Sequence, residues 1–347
     1  MNYLISVGDF IHSNVLHPVL APFVTTKMSA ADEEAHKLTQ AQLASIENEI
    51  KSTQPLTSQL LPISTLIHQY TILDEDGQHD QQHMAAGFIS SAKFLEQKYT
   101  SLRRVRGDGN CYYRAFLYSL CEHLLMRSGG GGGPREFSRI KETIVNSLKW
   151  VCQFGYEEMT IDMFYEELVE LLDFIEKSLS ANNNNSPSTA AVKEESNNDD
   201  TAQQLLLLQQ LHTKLNEENS TSDYCTWYLR VLTAAQMKSN PDRFLPFLLA
   251  DELHGNMDIP TFCSREVEPM GKECGMVTVA ALAECLGVKV VIEYMDGRLS
   301  NGGSGSGSGE IVNHVFGQVE DGGKEDDDEE RICLTLLYRP GHYDILY

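Results

Sequence analysis

The segment Arg106-Gly107-Asp108-Gly109-Asn110-Cys111-Tyr112-Tyr113-Arg114-Ala115-Phe116 runs from a glycine-containing loop into a cysteine and then into a helical pattern. Tyr113, Leu117, Leu120 and Leu124 recur at steps of four, three and four, the spacing of one helix face. Cys111 is thereby placed in the first turn, beside unpaired backbone N–H groups and the positive end of the helix dipole. That environment favours the thiolate, which is the nucleophilic form. Gly107 and Gly109 permit a tight turn and a close approach of backbone to a substrate carbonyl. The N–H groups of Cys111 and of the loop before it, at Gly109 and Asn110, are then candidates to hold an oxyanion.

A cysteine nucleophile needs a base, and the last residues, Arg339-Pro340-Gly341-His342-Tyr343-Asp344-Ile345-Leu346-Tyr347, offer one. Pro340-Gly341 reads as a turn and the residues after it as a short strand. Residues two apart on a strand share a face. His342 and Asp344 therefore stand side by side, about 7 Å apart along the chain, while Tyr343, Ile345 and Tyr347 point the other way into packing. Cysteine, histidine and aspartate in this arrangement supply a nucleophile, its base and the group that orients the base.

These two stretches resemble a known family, the otubains, deubiquitinating cysteine proteases of the ovarian-tumour (OTU) class. Residues 108–116 resemble the family's nucleophile motif, and residues 338–347 resemble its C-terminal motif almost letter for letter. Ser222-Asp223-Tyr224 with the run Tyr228 to Thr233, Glu266 to Met270, and Glu293 to Asp296 are similar to further family stretches in the same order. Separated blocks in one order are far more specific than a single short motif. The resemblance spans residues 33–347, interrupted by insertions. It implies an α+β, papain-like fold of the OTU type: a small central β-sheet flanked by helical lobes, with the catalytic groups in the cleft between them. It also implies isopeptide hydrolysis on ubiquitin and polyubiquitin chains, of the linkage that marks proteins for the proteasome. Cys111 is then the nucleophile, His342 the base and Asp344 its orienter, and Asp108 shapes the oxyanion loop. No metal or organic cofactor is implied. In some family members the N-terminal arm contacts ubiquitin-conjugating enzymes. An alternative is accordingly a non-catalytic regulator that binds ubiquitin or such an enzyme through its N-terminal helix. A general papain-like peptidase fits the three catalytic residues but not the other blocks. The stretch Cys274-Gly275-Met276-Val277-Thr278 departs from the more polar, histidine-containing sequence usual at this point in the family.

The elements that must position these groups follow from periodicity and punctuation. Residues 1–28 read as a leader, with Met28 a natural start. Residues 29–100 read as a helical arm, with helices from Ser29, over 60–70 and over 88–99, and a polar loop over 74–82. Residues 101–347 read as the catalytic core, with low-complexity insertions near 128–134, 180–203 and 299–330. Within the core, helices are expected over 137–154, 159–179, 205–215, 223–237, 244–249 and 276–286, the last capped by Gly287. Strands are expected over 288–294, 332–338 and 342–347, with a short ordered piece at 311–316. His314, in that piece, reads as a solvated loop histidine or as a contact for substrate.

Composition narrows the function classes. An apolar fraction of 41% and a charged fraction of 22% are those of a soluble globular protein. A net charge of −23 argues against nucleic acid, because phosphate binding needs basic patches. The eight cysteines include no CxxC pair, no zinc pattern occurs, and those in apolar periodic stretches (Cys121, Cys152, Cys285, Cys333) read as small core residues rather than disulfides. No stretch has the form of a membrane span, and the absence of sorting signals fits cytoplasm or nucleus.

Overall fold

The computed structural model describes residues 39, 41–42, 45–46, 48–76, 79–126, 133–184, 196–297, 311–317 and 331–347. The expected leader, and the expected helix start at Ser29, lie outside the described residues. A six-stranded sheet has the order β1-β2-β6-β5-β3-β4, formed by β1 (Leu61–Pro62), β2 (Ser101–Arg103), β3 (Lys289–Tyr294), β4 (Val312–Phe316), β5 (Cys333–Arg339) and β6 (His342–Leu346). Among the described residues only β3 and β5 run parallel, in the register Ile292↔Leu336, and the other pairings are antiparallel. The β5–β6 hairpin closes with Arg339 opposite His342. Gly341 takes φ 73° in its turn, a left-handed value that follows naturally after Pro340.

The described residues between 39 and 53 include helix, and ten helices follow: α1 (Ser64–Asp76), α2 (His79–Lys98), α3 (Cys111–Met126), α4 (Gly133–Cys152), α5 (Glu158–Asn184), α6 (Ser196–Leu215), α7 (Thr221–Ser239), α8 (Pro241–Leu249), α9 (Ile259–Phe262) and α10 (Met276–Leu286), with a π-helical turn at Cys263–Val267 after α9. The sheet divides them by the alternation of its side chains. Val290, Ile292, Leu334, Leu336 and Ile345 face a large core shared with α3, α4, α5, α7 and α10. Leu102, Leu337 and Leu346 face a second core made by Ile63 and Leu66 near α1 and by Phe88, Ala92 and Leu95 of α2. Helices on both faces of a small, mixed sheet make this the expected α+β architecture.

Four expectations change. The sequence marks one apolar face on the nucleophile helix, at Tyr113, Leu117, Leu120 and Leu124, whereas in α3 every residue except His123 and Met126 is buried, Arg114 and Glu122 included, because α5, α6, α7 and the sheet surround it. Leu61-Pro62 is strand rather than helix, paired with Ser101-Leu102, and a helix starts only at Ser64. The polar loop expected over 74–82 is largely helix, since α1 runs to Asp76 and α2 begins at His79; a run of polar residues carries no apolar stripe to reveal a helix. The insertion expected near 180–203 contributes the end of α5 and the start of α6, leaving 185–195 outside the described residues. Most of the insertions near 128–134 and 299–330 also lie outside them, apart from the helix start at Gly133 and the strand β4. Among the described residues no helix is long and apolar enough to cross a membrane. All eight cysteines are free thiols.

Candidate active site

Cys111 is the first residue of α3 and is 2% exposed. His342 is the first residue of β6, and Asp344 follows on the same side of that strand, fully buried. Tyr112 and Tyr343, the neighbours of Cys111 and His342, meet edge to face with centroids 5.3 Å apart. Their hydroxyls donate to the carbonyls of Val279 (3.3 Å) and Cys274 (3.1 Å). Helix start, final strand and α10 are thereby locked together, and the two distant ends of the core sequence meet.

Nε2 of His342 lies 3.0 Å from Oδ1 of Asp344. The same oxygen accepts the Val105 N–H at 3.0 Å, and Oδ2 accepts Nη2 of Arg339 at 2.7 Å. Nδ1 of His342 is buried with no hydrogen-bond partner, and Cys111 is among the groups that act on the ring. Burial opposes charge on the imidazole. Asp344 first, and then Cys111, outweigh it by charge and hydrogen bonding, and push the imidazolium up to about 10. Burial likewise opposes charge on Asp344, but Arg339 and His342 hold its carboxyl well below the usual carboxylate range. This arrangement keeps the imidazole protonated at neutral pH, the form that can hand a proton to a leaving group.

The loop before Cys111 is held from both sides. Oδ1 of Asp108 accepts the Asn110 N–H (3.0 Å) and Nη1 of Arg114 (2.9 Å). Arg114, 1% exposed, reaches Asp223 as well, at 3.0 Å. Oδ1 of Asn110 accepts the Gly271 N–H and Nη2 of Arg230, both at 2.9 Å. Gly109 has φ 74°, and a β-carbon there would lie 2.1 Å from the Gly271 carbonyl oxygen. Glycine is required at this position on both counts. Of the loop donors, the Asn110 N–H is committed to Asp108. The Asn110 carbonyl accepts the Arg114 N–H at 3.0 Å, so in a trans peptide the Cys111 N–H points the opposite way, out of the helix start.

A match to the family Peptidase C65 Otubain runs over residues 49–209 and 191–347. The chain belongs to the otubain family. The human ubiquitin thioesterase OTUB1 is 32% identical over 308 residues, 88% of each chain. The Arabidopsis thaliana ovarian tumor domain-containing deubiquitinating enzyme 1 is 28% identical over 307 residues, 87% of this chain and 84% of the relative. Among solved structures, a complex of ceOTUB1 with ubiquitin aldehyde and UBC13~Ub superposes with a TM-score of 0.60 at 28% identity, over 88% of this chain and 98% of that one.

In this otubain, sequence reasoning did not single out three arginines that organise the site. Arg339 was read only as part of a turn, yet it neutralises Asp344 from behind. Arg114 and Arg230 are fully buried, and the available signal was a charged residue inside an apolar helical run, as in Tyr228-Leu229-Arg230-Val231-Leu232. His314 lies on the edge strand β4, separated from β6 by β3 and β5, with its ring 5.9 Å from that of Tyr294; it is not part of the cluster around Cys111. Beside that cluster a groove is lined by Asp251, His254, Phe262, Glu266, Glu273 and Met276, among others. The Glu273 carboxylate borders Gly341, 3.2 Å from where a β-carbon would stand. Among the described residues no cluster of histidine, cysteine and carboxylate side chains is arranged to hold a metal ion.

Proposed function

We propose that this otubain-family enzyme is a deubiquitinating thiol protease that hydrolyses isopeptide bonds in ubiquitin chains, with Cys111, His342 and Asp344 as its catalytic residues. The observation that carries this reading is the imidazole of His342, bound through Nε2 to Asp344, on the strand that the Tyr112–Tyr343 contact fastens to the helix start bearing Cys111. The Cys111 thiolate attacks the carbonyl of ubiquitin's terminal glycine. The Cys111 N–H, in the loop shaped by Asp108, Gly109 and Asn110, receives the oxyanion. His342 protonates the departing lysine amine and a thioester forms. Water deprotonated by His342 then releases the acyl group and regenerates the thiolate. Asp344 fixes the tautomer and orientation of the ring throughout. The acidic groove beside Gly341 suits the basic C-terminal tail of ubiquitin. The family resemblance favours the linkage that marks proteins for the proteasome, and action in the cytoplasm or nucleus.

A second reading has its own support: the ceOTUB1 structure was solved with UBC13~Ub. In that reading the protein restrains a ubiquitin-conjugating enzyme through its N-terminal arm without cleavage. Incubation of the wild type and Cys111→Ala with a panel of differently linked di-ubiquitins separates the two. Cleavage by the wild type alone supports the protease. Failure of the wild type to cleave any linkage, together with inhibition of ubiquitin transfer by both proteins, would favour the regulator.

A further inference from the structure

Arg230 lies in the middle of α7 and is fully buried. Its guanidinium donates through Nη2 to the carbonyl of Gly109 (2.9 Å), to Oδ1 of Asn110 (2.9 Å) and to the carbonyl of Lys272 (2.7 Å), and through Nη1 to the carbonyl of Val267 (2.8 Å). Its flat face covers the ring of Tyr113, with Cζ 4.5 Å from the centroid. Every acceptor is an amide oxygen, and among the described residues no carboxylate pairs with it. Nε is buried without a partner. A buried positive charge with an unsatisfied donor and no counter-ion is a costly way to join two loops.

Its position gives that cost a use. The Gly109–Asn110 peptide is gripped at both ends, its carbonyl by Arg230 and its N–H by Asp108. The next peptide carries the Cys111 N–H that points out of the helix start. We propose that Arg230 is a positioning residue for acyl transfer, which fixes the Gly109–Asn110 peptide, and through it the Cys111 N–H, where the oxyanion forms. Its unneutralised charge also adds to the positive potential at that point. The assignment rests on the proposed cysteine-protease reading and extends it to a residue that touches neither substrate nor the reacting sulfur. Lysine cannot substitute, because a point charge on a flexible stem cannot hold carbonyls in several fixed directions.

The test separates nucleophile from oxyanion site. Alkylation of Cys111 by iodoacetamide needs the thiolate but develops no oxyanion. Acylation by p-nitrophenyl acetate needs both: sulfur bonds to the acetyl carbon, the carbonyl oxygen carries the charge, and p-nitrophenolate leaves. In Arg230→Lys the acylation burst, and kcat on di-ubiquitin, should fall about 100-fold with KM nearly unchanged, the size expected for a displaced reacting group. The alkylation rate and its pH profile should match the wild type. Equal losses of alkylation and acylation, or an unchanged burst, would overturn the assignment. Should Arg230→Lys fail to fold by circular dichroism, Asn110→Ala removes one acceptor while leaving the guanidinium in place, and the same comparison of the two rates decides. A wild type that is acylated by the ester but inert on di-ubiquitin would sink the ubiquitin reading, and leave the role of Arg230 to be read from the ester alone.

Discussion

Asp344 reaches His342 with the same oxygen that accepts the Val105 N–H, and gives its other oxygen to Arg339. A single buried carboxylate therefore orients the imidazole, ties the final strand to the segment leading to the nucleophile, and takes its own counter-charge from the hairpin turn. Both members of the pair gain in their charged forms. His342 is raised to about 10. Its contribution to stability is whole below the ordinary histidine value of about 6.5, and is lost as pH rises through about 10. Asp344 is lowered; its contribution is present above about 3.9 and is lost as pH falls below that value.

Catalysis inherits the sign of the histidine shift. The imidazolium is the acid that protonates the leaving amine, so kcat/KM on di-ubiquitin should stay high through neutrality and decline as pH rises through about 10. Asp344→Asn removes the foremost of the groups that raise His342. Its alkaline limb should move down toward about 6.5, with kcat lower by about 100-fold or more. A pH–rate profile of the two proteins checks this, and an unmoved limb would show that Asp344 does not control the ring.

Cys111→Ala should abolish cleavage of every di-ubiquitin linkage and leave the fold intact. The thiol is small and buried, and its removal should change unfolding free energy by about 1 kcal/mol, within the ordinary range for a point substitution. Urea titration reads stability and gel assays read cleavage. Residual turnover by this variant would move the nucleophile elsewhere.

How far the sequence revealed this site depended on how local the signal was. Cys111, His342 and Asp344 were legible because helix start and strand alternation are local rules. Arg230 was not, since its acceptors at Gly109, Val267 and Lys272 come from loops that meet α7 only in the fold. The strand at Leu61-Pro62 escaped for the same reason, as its two residues are extended only because Ser101-Leu102 pairs with them. Among the helices, α10 was read correctly at both ends because Gly287 caps it with φ 59°. The start of α2 at His79 opens a polar run, His79 to His83, with no apolar stripe to reveal it.

Gly109→Ala should cost activity as well as stability. The new β-carbon would lie 2.1 Å from the Gly271 carbonyl oxygen, and the backbone already has φ 74°. One loop or the other must shift, and a displacement near 1 Å at a reacting group costs on the order of 100-fold in rate. Gly155 provides the control. Its φ is 92°, but nothing lies within 4 Å of an added β-carbon. Gly155→Ala should lower stability by about 1 kcal/mol, with kcat unchanged. Equal kcat in the two variants would show that the contact between Gly109 and Gly271 has no bearing on turnover.

Glu293 predicts where the N-terminal arm is fastened. It is fully buried on β3 and accepts hydrogen bonds from Lys98 and from the Tyr99 hydroxyl, the latter at 2.6 Å. Burial, and then Glu293, push the Tyr99 phenol up to about 12, so it remains a donor at neutral pH. The Lys98 side chain is 45% exposed, and an ion pair so open to water should be worth less than about 1 kcal/mol. Lys98→Met should therefore be mild and Tyr99→Phe should cost about 1 kcal/mol. Glu293→Ala should cost about 3 kcal/mol, because it leaves the half-buried Tyr99 phenol unpaired and opens a void where the fully buried carboxylate stood. Urea midpoints would rank the three. Were Lys98→Met to cost as much as Glu293→Ala, the ion pair rather than the hydrogen bond to Tyr99 would be what holds α2 to the sheet.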